Sequence, residues 1–170
     1  MKVGIIIYSY GFRHDGHQKR VFIAMKFENI VIINQPVKKV FDFVTNLNNN
    51  AKWQTDILEL EKTSEGRFER GSTYRCVNRF MGKRIETEGV ITDYVSDRTC
   101  SFRITSGSVT GESHFSFETV DGATKFTTTA DLELKFFKLG EIILKRKINK
   151  QLKNDMLQLK RILENGKSRY

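Results

Sequence analysis

The spacing of apolar and polar positions divides most of the chain into segments of two distinct periods. Phe27 to Asn34 reads as a strand, opened by Met25. After it, Val37, Val40, Phe41, Val44 and Leu47 recur at i, i+3, i+4, i+7 and i+10, the apolar stripe of one helix face. Pro36 suits the first helical position, where a missing N–H costs nothing, with Asn34 or Gln35 as the cap. The run Asn46-Leu47-Asn48-Asn49-Asn50 interrupts that stripe, and a short second helical turn ends at Trp53. From Thr55 to about Leu134 the period becomes two. Strands are expected over 55–64, 71–81, 84–95, 98–106, 110–120 and 124–134, separated by turn-forming pairs such as Glu65-Gly66, Ser96-Asp97, Ser106-Gly107 and Asp121-Gly122. The strand over 84–95 is ambiguous, because Ile85 and Ile91 oppose Val90 and Tyr94, a parity conflict that a β-bulge would resolve.

A long helix from about Leu139 to Glu164 closes the chain. Leu144, Ile148, Leu152, Met156, Leu159 and Leu163 form one continuous stripe along it, and Lys145, Lys147, Lys150, Lys153, Lys160 and Arg161 lie on or beside the other face. The order of elements is therefore strand, two short helices, six strands and one long helix, without internal repeats. Hairpin-connected strands make an antiparallel sheet whose apolar face needs a cover, and only the last helix is long enough to supply it. An α+β fold is expected, with a curved antiparallel sheet of about seven strands wrapped around the C-terminal helix.

Composition narrows the class. The 170 residues are 39% hydrophobic and 29% charged, enough for one ordinary core, and no apolar run approaches the ~20 residues of a spanning helix. Cys76 and Cys100 alone cannot build a disulfide framework, so a reduced, cytoplasmic protein is expected. The net charge of +9 is uneven: +8 lies in residues 135–170 and +4 in residues 1–26, leaving the middle at −3. Residues 1–24 stand apart, since Ser9 to Gln18 shows neither period. They are read as an N-terminal arm, either untranslated sequence upstream of Met25 or a variable, disordered segment. If real, its Ile5-Ile6-Ile7 run favours an edge strand over Val3–Tyr8. Residues 25–170 are read as one domain.

Several local signatures then resemble the START-like (SRPBCC, helix-grip) superfamily, and within it the polyketide cyclase/dehydrase and lipid-transport family. They are Pro36-Val37-Lys38-Lys39-Val40-Phe41 with Asn46 and Trp53, Gly71-Ser72-Thr73-Tyr74 leading to Met81-Gly82-Lys83-Arg84, Phe115-Ser116-Phe117 before Gly122, and the closing Leu157-Gln158-Leu159-Lys160-Arg161-Ile162-Leu163-Glu164. The resemblance spans about residues 27–165 and implies a helix-grip fold with a hydrophobic pocket between sheet and helix. It implies a lipid, a polyketide-like compound or another small hydrophobic molecule as ligand. Of activity it says little, because the fold hosts carriers, cyclases and regulators alike.

The expected pocket lining is Tyr74, Asn78, Phe80, Phe102, Phe115, Phe117, Phe126, Ile148, Leu152 and Met156, the inward parity of strands and helix. Each of these apolar side chains could instead fill a solid core. Asn78 is the informative exception, since a buried amide must find partners. Glu86 and Glu88 would face the pocket only in the even register of their strand. His114 lies opposite Phe115 and Phe117 and is expected to be exposed, which leaves nucleophilic triads without a base. No catalytic residue, metal site or cofactor is expected; His14 and His17 could offer two imidazoles to a metal, but an arm that is expected to be flexible does not hold them in place. Tyr74, Tyr94, Glu88 and Arg103 are the acid–base candidates if the protein is instead a cyclase or dehydratase, although Arg103 has outward parity. The basic helix face offers a further alternative, peripheral contact with an anionic membrane. Nucleic acid fits poorly, because the aromatic and basic residues do not interleave.

Overall fold

The structure is a computed structural model that describes the backbone of residues 2–15, 18–80, 82–135 and 141–166, and the side chains of residues 24–80, 82–134 and 146–166. Eight strands form one curved, fully antiparallel sheet. They are β1 (Lys2–Asp15), β2 (Gln18–Ile33), β3 (Ile57–Lys62), β4 (Thr73–Phe80), β5 (Lys83–Val95), β6 (Thr99–Gly107), β7 (Val109–Val120) and β8 (Ala123–Lys135). Their spatial order is β1-β2-β8-β7-β6-β5-β4-β3. Between β2 and β3 come α1 (Val37–Thr45) and α2 (Leu47–Trp53), which carry the chain from one side of the sheet to the edge strand β3; α3 (Glu141–Asn165) follows β8. This is the architecture that the order of periods predicts. The seven strands β2–β8 with the three helices make up the helix-grip arrangement.

Boundary differences have local causes. Helix α1 starts at Val37, and Pro36 is its cap rather than its first residue. With ψ 145 Pro36 is still extended, and its carbonyl accepts from Lys39 N and Val40 N. Gln35 does not cap the helix; its Oε1 instead accepts from Lys39 Nζ at 2.9 Å. Asn46 ends α1 and caps α2, its Oδ1 accepting from Asn48 N at 3.1 Å. Strand β2 begins at Gln18, earlier than its alternation suggests, because its first residues pair with β1. That pairing runs through main-chain groups, which any non-proline residue supplies whatever its side chain. At Asp121-Gly122 both residues have positive φ (50° and 78°), as a two-residue hairpin turn requires.

The parity conflict in β5 is settled by two register shifts against β6, one between Glu88 and Gly89 and one between Ile91 and Asp93. Ile85, Thr87 and Ile91 therefore point inward, and after the second shift Tyr94 does so as well, packing on Phe41 and Phe68. Glu86 and Glu88 are exposed. The core has three parts. The largest joins α1, Trp53 and the C-terminal half of α3 to Val31, Ile33, Phe117 and Phe126. A second surrounds Met25, Leu134 and Ile148, and a third Tyr74, Cys76, Ile91 and Cys100.

Candidate functional site

The first core part is solid, but between the second and the helix a cavity of about 180 Å3 remains. Alternation supplies its walls: Met25 and Phe27 from β2, Ile85 and Thr87 from β5, Ile104 from β6, Val109 from β7, and Leu132 and Leu134 from β8. Phe80 and Asn78 on β4 and Ile148, Gln151 and Leu152 on α3 complete it, with Asp56 from the segment before β3. A second cavity of about 130 Å3 lies further along the inner face, between Tyr74, Cys76, Phe102 and Phe115 and the α2–β3 region; Ile104 borders both.

The larger of these two, the main cavity of the inner sheet face, has one polar end. Register pairs Ile57 with Asn78, which sets Asp56 beside Asn78, while Gln151 reaches Asp56 from α3. Cys76 Sγ donates to Asn78 Oδ1 at 3.5 Å, so the amide nitrogen of Asn78 keeps its two donors. Behind Asp56, Asp155 is 3% exposed and accepts from Thr55 N at 3.1 Å and Thr55 Oγ1 at 2.9 Å. Burial pushes the Asp56 carboxyl above its ordinary value, against the opposing pull of Gln151. Burial pushes Asp155 up to about 7, and the negative charge of Asp56 adds to this while the Thr55 bonds oppose it. The Cys76 thiol, also buried, is pushed up to about 11. Asp155 and, in the same direction, Asp56 hold their protons more strongly than free carboxyls do, and at the end of an apolar space such groups can accept hydrogen bonds and exchange protons.

Tyr74 forms one wall of the smaller cavity, edge-on to Phe102 at 6.0 Å, with Phe102 in turn edge-on to Phe115 at 4.9 Å. Its ring lies directly over Gly89 of the neighbouring strand, where a Cβ would meet Tyr74 Oη and Cζ and, at 2.5 Å, the Arg103 carbonyl. Gly89→Ala is thus expected to displace the ring or part the strands, costing about 1–3 kcal/mol in urea unfolding. An unchanged midpoint would show that the ring does not rest on Gly89.

Among the residues expected at the pocket, Asn78, Phe80, Ile148 and Leu152 line the main cavity, and Tyr74, Phe102 and Phe115 the smaller one. Phe117, Phe126 and Met156 belong instead to the packed core, where Phe117 stacks on Phe126 at 4.9 Å and leaves no free surface. His114 is exposed, its Nδ1 2.6 Å from Ser101 Oγ. Glu86 and Arg103 are outward ion pairs, with Arg75 at 2.5 Å and Glu112 at 2.7 Å, and Glu88 accepts from Ser106. On α3, Arg146, Lys147, Lys150, Lys153 and Arg161 are exposed, whereas Lys160 turns back to donate to the Ile32 carbonyl and Glu164. The side chains of His14, His17, Leu144 and Lys145, and residue Met81, lie outside the described residues.

Sequence reasoning missed Asp56, Gln151 and Asp155. A signal existed on α3, since Gln151 and Asp155 share the apolar stripe with Ile148, Leu152 and Leu159. Nothing comparable marks Asp56, whose position depends on the α2–β3 junction. Among the described residues no group of three or more His, Cys, Asp or Glu converges as a metal site. No helix there is long and apolar enough to cross a membrane.

Comparison with known proteins agrees with this geometry. A START superfamily protein from Mycobacterium smegmatis superposes with TM-score 0.69 at 12% identity, covering 84% of this chain and 99% of that one. An aromatase/cyclase from a Streptomyces species gives 0.65 at 14% identity, over 86% and 99% of the two chains. A protein from Thermus thermophilus gives 0.66 at 16%, over 81% and 96%. At these identities the likeness is one of fold. A search of functionally curated proteins finds no significant sequence match. The family model for polyketide cyclase/dehydrase and lipid transport, however, matches residues 24–164, nearly the whole domain. Family and fold together fit a hydrophobic-ligand-binding or polyketide cyclase-like role. The chain belongs to the polyketide cyclase/dehydrase and lipid-transport family.

Proposed function

We propose that the protein binds a small, mostly apolar molecule non-covalently in the space between the sheet and α3, with the ligand's polar end at Asp56, Asn78 and Gln151. The observation that carries this reading is the main cavity itself, about 180 Å3 of mostly hydrocarbon-lined space with its polar groups confined to one end. Such a space desolvates a ligand while a few fixed groups orient it. Transfer of ~150 Å2 of apolar ligand surface from water would contribute about 4 kcal/mol, before the cost of immobilising the ligand. Ligands of a single ring or a short chain fit it as it stands; larger ones need the Ile104 partition to move so that both cavities join.

Native mass spectrometry of protein purified without denaturation, with solvent extraction of whatever is bound, tests the reading directly. Leu152→Trp, which fills the cavity from α3, should lower the affinity of a bound apolar molecule at least about tenfold. Retained affinity in a folded variant would place the ligand elsewhere.

A second reading is favoured by Asp56 and Asp155. Carboxyls whose proton affinity burial raises, Asp155 to about 7 and Asp56 in the same direction, suit acid–base work on a bound apolar substrate, as a cyclase or dehydratase requires. Under that reading Asp56, which borders the cavity, takes the role otherwise assigned to Tyr74 or Glu88. Turnover by wild-type protein that persists in Asp56→Asn would dismiss it.

A further inference from the structure

We infer that the main cavity selects ligands whose apolar body ends in a cationic amine, with Asp56 as the group that recognises it. This rests on the cavity being a ligand site and adds the chemical class of the ligand.

Among the described residues that line the cavity, Asp56 is the sole ionisable one. It stands at the polar end between the amides of Asn78 and Gln151, and the other described residues that line the cavity are hydrocarbon apart from the Thr87 hydroxyl. The titratable groups set around it are also acids: Asp155 from α3 and the Cys76 thiol from β4. Among the described residues, β2, β6, β7 and β8 turn apolar side chains to the space, and β5 adds Ile85 and the neutral Thr87. No lysine, arginine or histidine among the described residues pairs with either carboxyl. The lysines of α3 next to it, Lys147, Lys150 and Lys153, are exposed.

Buried carboxyls usually have a cation or several donors beside them, because an isolated buried charge is costly. Among the described residues no cation pairs with these carboxyls, and a ligand ammonium would supply one. The ion pair would form in an apolar setting, where its attraction is far larger than in water. Gln151 and Asn78 would satisfy the remaining hydrogen-bonding capacity of the pair. The rings of Phe27 and Phe80 border the same space, and ring faces also attract cations. An anionic ligand would meet Asp56 with like charge, and a neutral one would leave the countercharge absent.

The test uses three probes of one shape: phenethylamine, phenethyl alcohol and phenylacetate, titrated calorimetrically into the full-length protein at neutral pH. The amine is expected to bind about tenfold or more tightly than the alcohol, with phenylacetate weakest. Asp56→Asn should cut amine affinity about tenfold or more and abolish the preference for amine over alcohol, with a wild-type circular dichroism spectrum certifying that the variant is folded. Independently of any variant, acidifying the wild type should weaken the amine and spare the alcohol, since protonating Asp56 removes the negative charge with which the ammonium pairs. Equal affinity for amine and alcohol, or a preference for phenylacetate, would overturn the inference and leave the cavity reading intact. Failure of all three probes to bind would overturn both.

Discussion

Phe126→Ala is expected to lower the free energy of unfolding by about 3–5 kcal/mol, a large part of what a domain of this size has. Phe126 is fully buried on β8 and stands where four elements meet. It stacks on Phe117 of β7 at 4.9 Å, meets Phe115 edge-on at 5.5 Å, and reaches Trp53 at the end of α2 across 6.3 Å. Backbone hydrogen bonding fixes β7 and β8 around it, so the neighbours cannot close the gap and the lost contacts stay lost. The urea midpoint should fall by about 2 M, taking a slope of ~2 kcal/mol/M. Phe126→Leu, which restores most of the volume, should recover more than half of the loss. A midpoint for the alanine variant within about 0.3 M of wild type would mean that this end of the fold is loosely filled, and the division between solid core and open cavity would fail.

That division separates what the sequence announces from what it hides. Alternation on β8 gives the inward parity of Phe126, Thr128, Ala130, Leu132 and Leu134 without ambiguity, and the structure places all five there. Parity gives the face of a sheet but not the position along it at which the helix stops touching it. Phe126 and Leu134 therefore look equivalent in sequence, yet one fills the core and the other borders the cavity. The same holds on α3, where Met156 is core and Leu152 is wall. On β2 the same alternation turns Met25 and Phe27 inward, where both border the cavity. Asn29 continues their parity and is fully buried, its Nδ2 donating to Thr128 Oγ1 at 3.2 Å. The bulges of β5 were legible as a conflict but not as a solution, since two register shifts can be placed several ways until β6 fixes them. Asp56 was illegible for a topological reason: α1 and α2 bring β3 to the edge beside β4, and only that crossing puts the residue opposite α3.

Asp155→Asn is expected to stabilise the protein, and only toward higher pH. In the folded chain the carboxyl is 3% exposed and its proton affinity is pushed up to about 7, against an ordinary value of 3.8. Between these values the folded state keeps a proton that the unfolded chain has released, so stability falls as the pH rises. The contribution is fully present below the unfolded value and is lost as the pH passes through about 7. A shift of this size corresponds to about 4 kcal/mol, of which solvent entry at the cavity and relaxation around Asp56 will return part. Asparagine keeps the oxygen that accepts from Thr55 N and Thr55 Oγ1, without the charge or the proton. Its urea midpoint should therefore exceed that of wild type at pH 8 by about 1–2 M, with the gap closing toward pH 4. A gap that does not change with pH would mean that Asp155 ionises normally in the folded state, reached by water through the cavity. The predicted pattern has a functional reading as well. An acid that weakens the fold at neutral pH, placed behind Asp56 at the polar end of an apolar cavity, is hard to explain as packing; sites built for binding or chemistry are where such costs are tolerated.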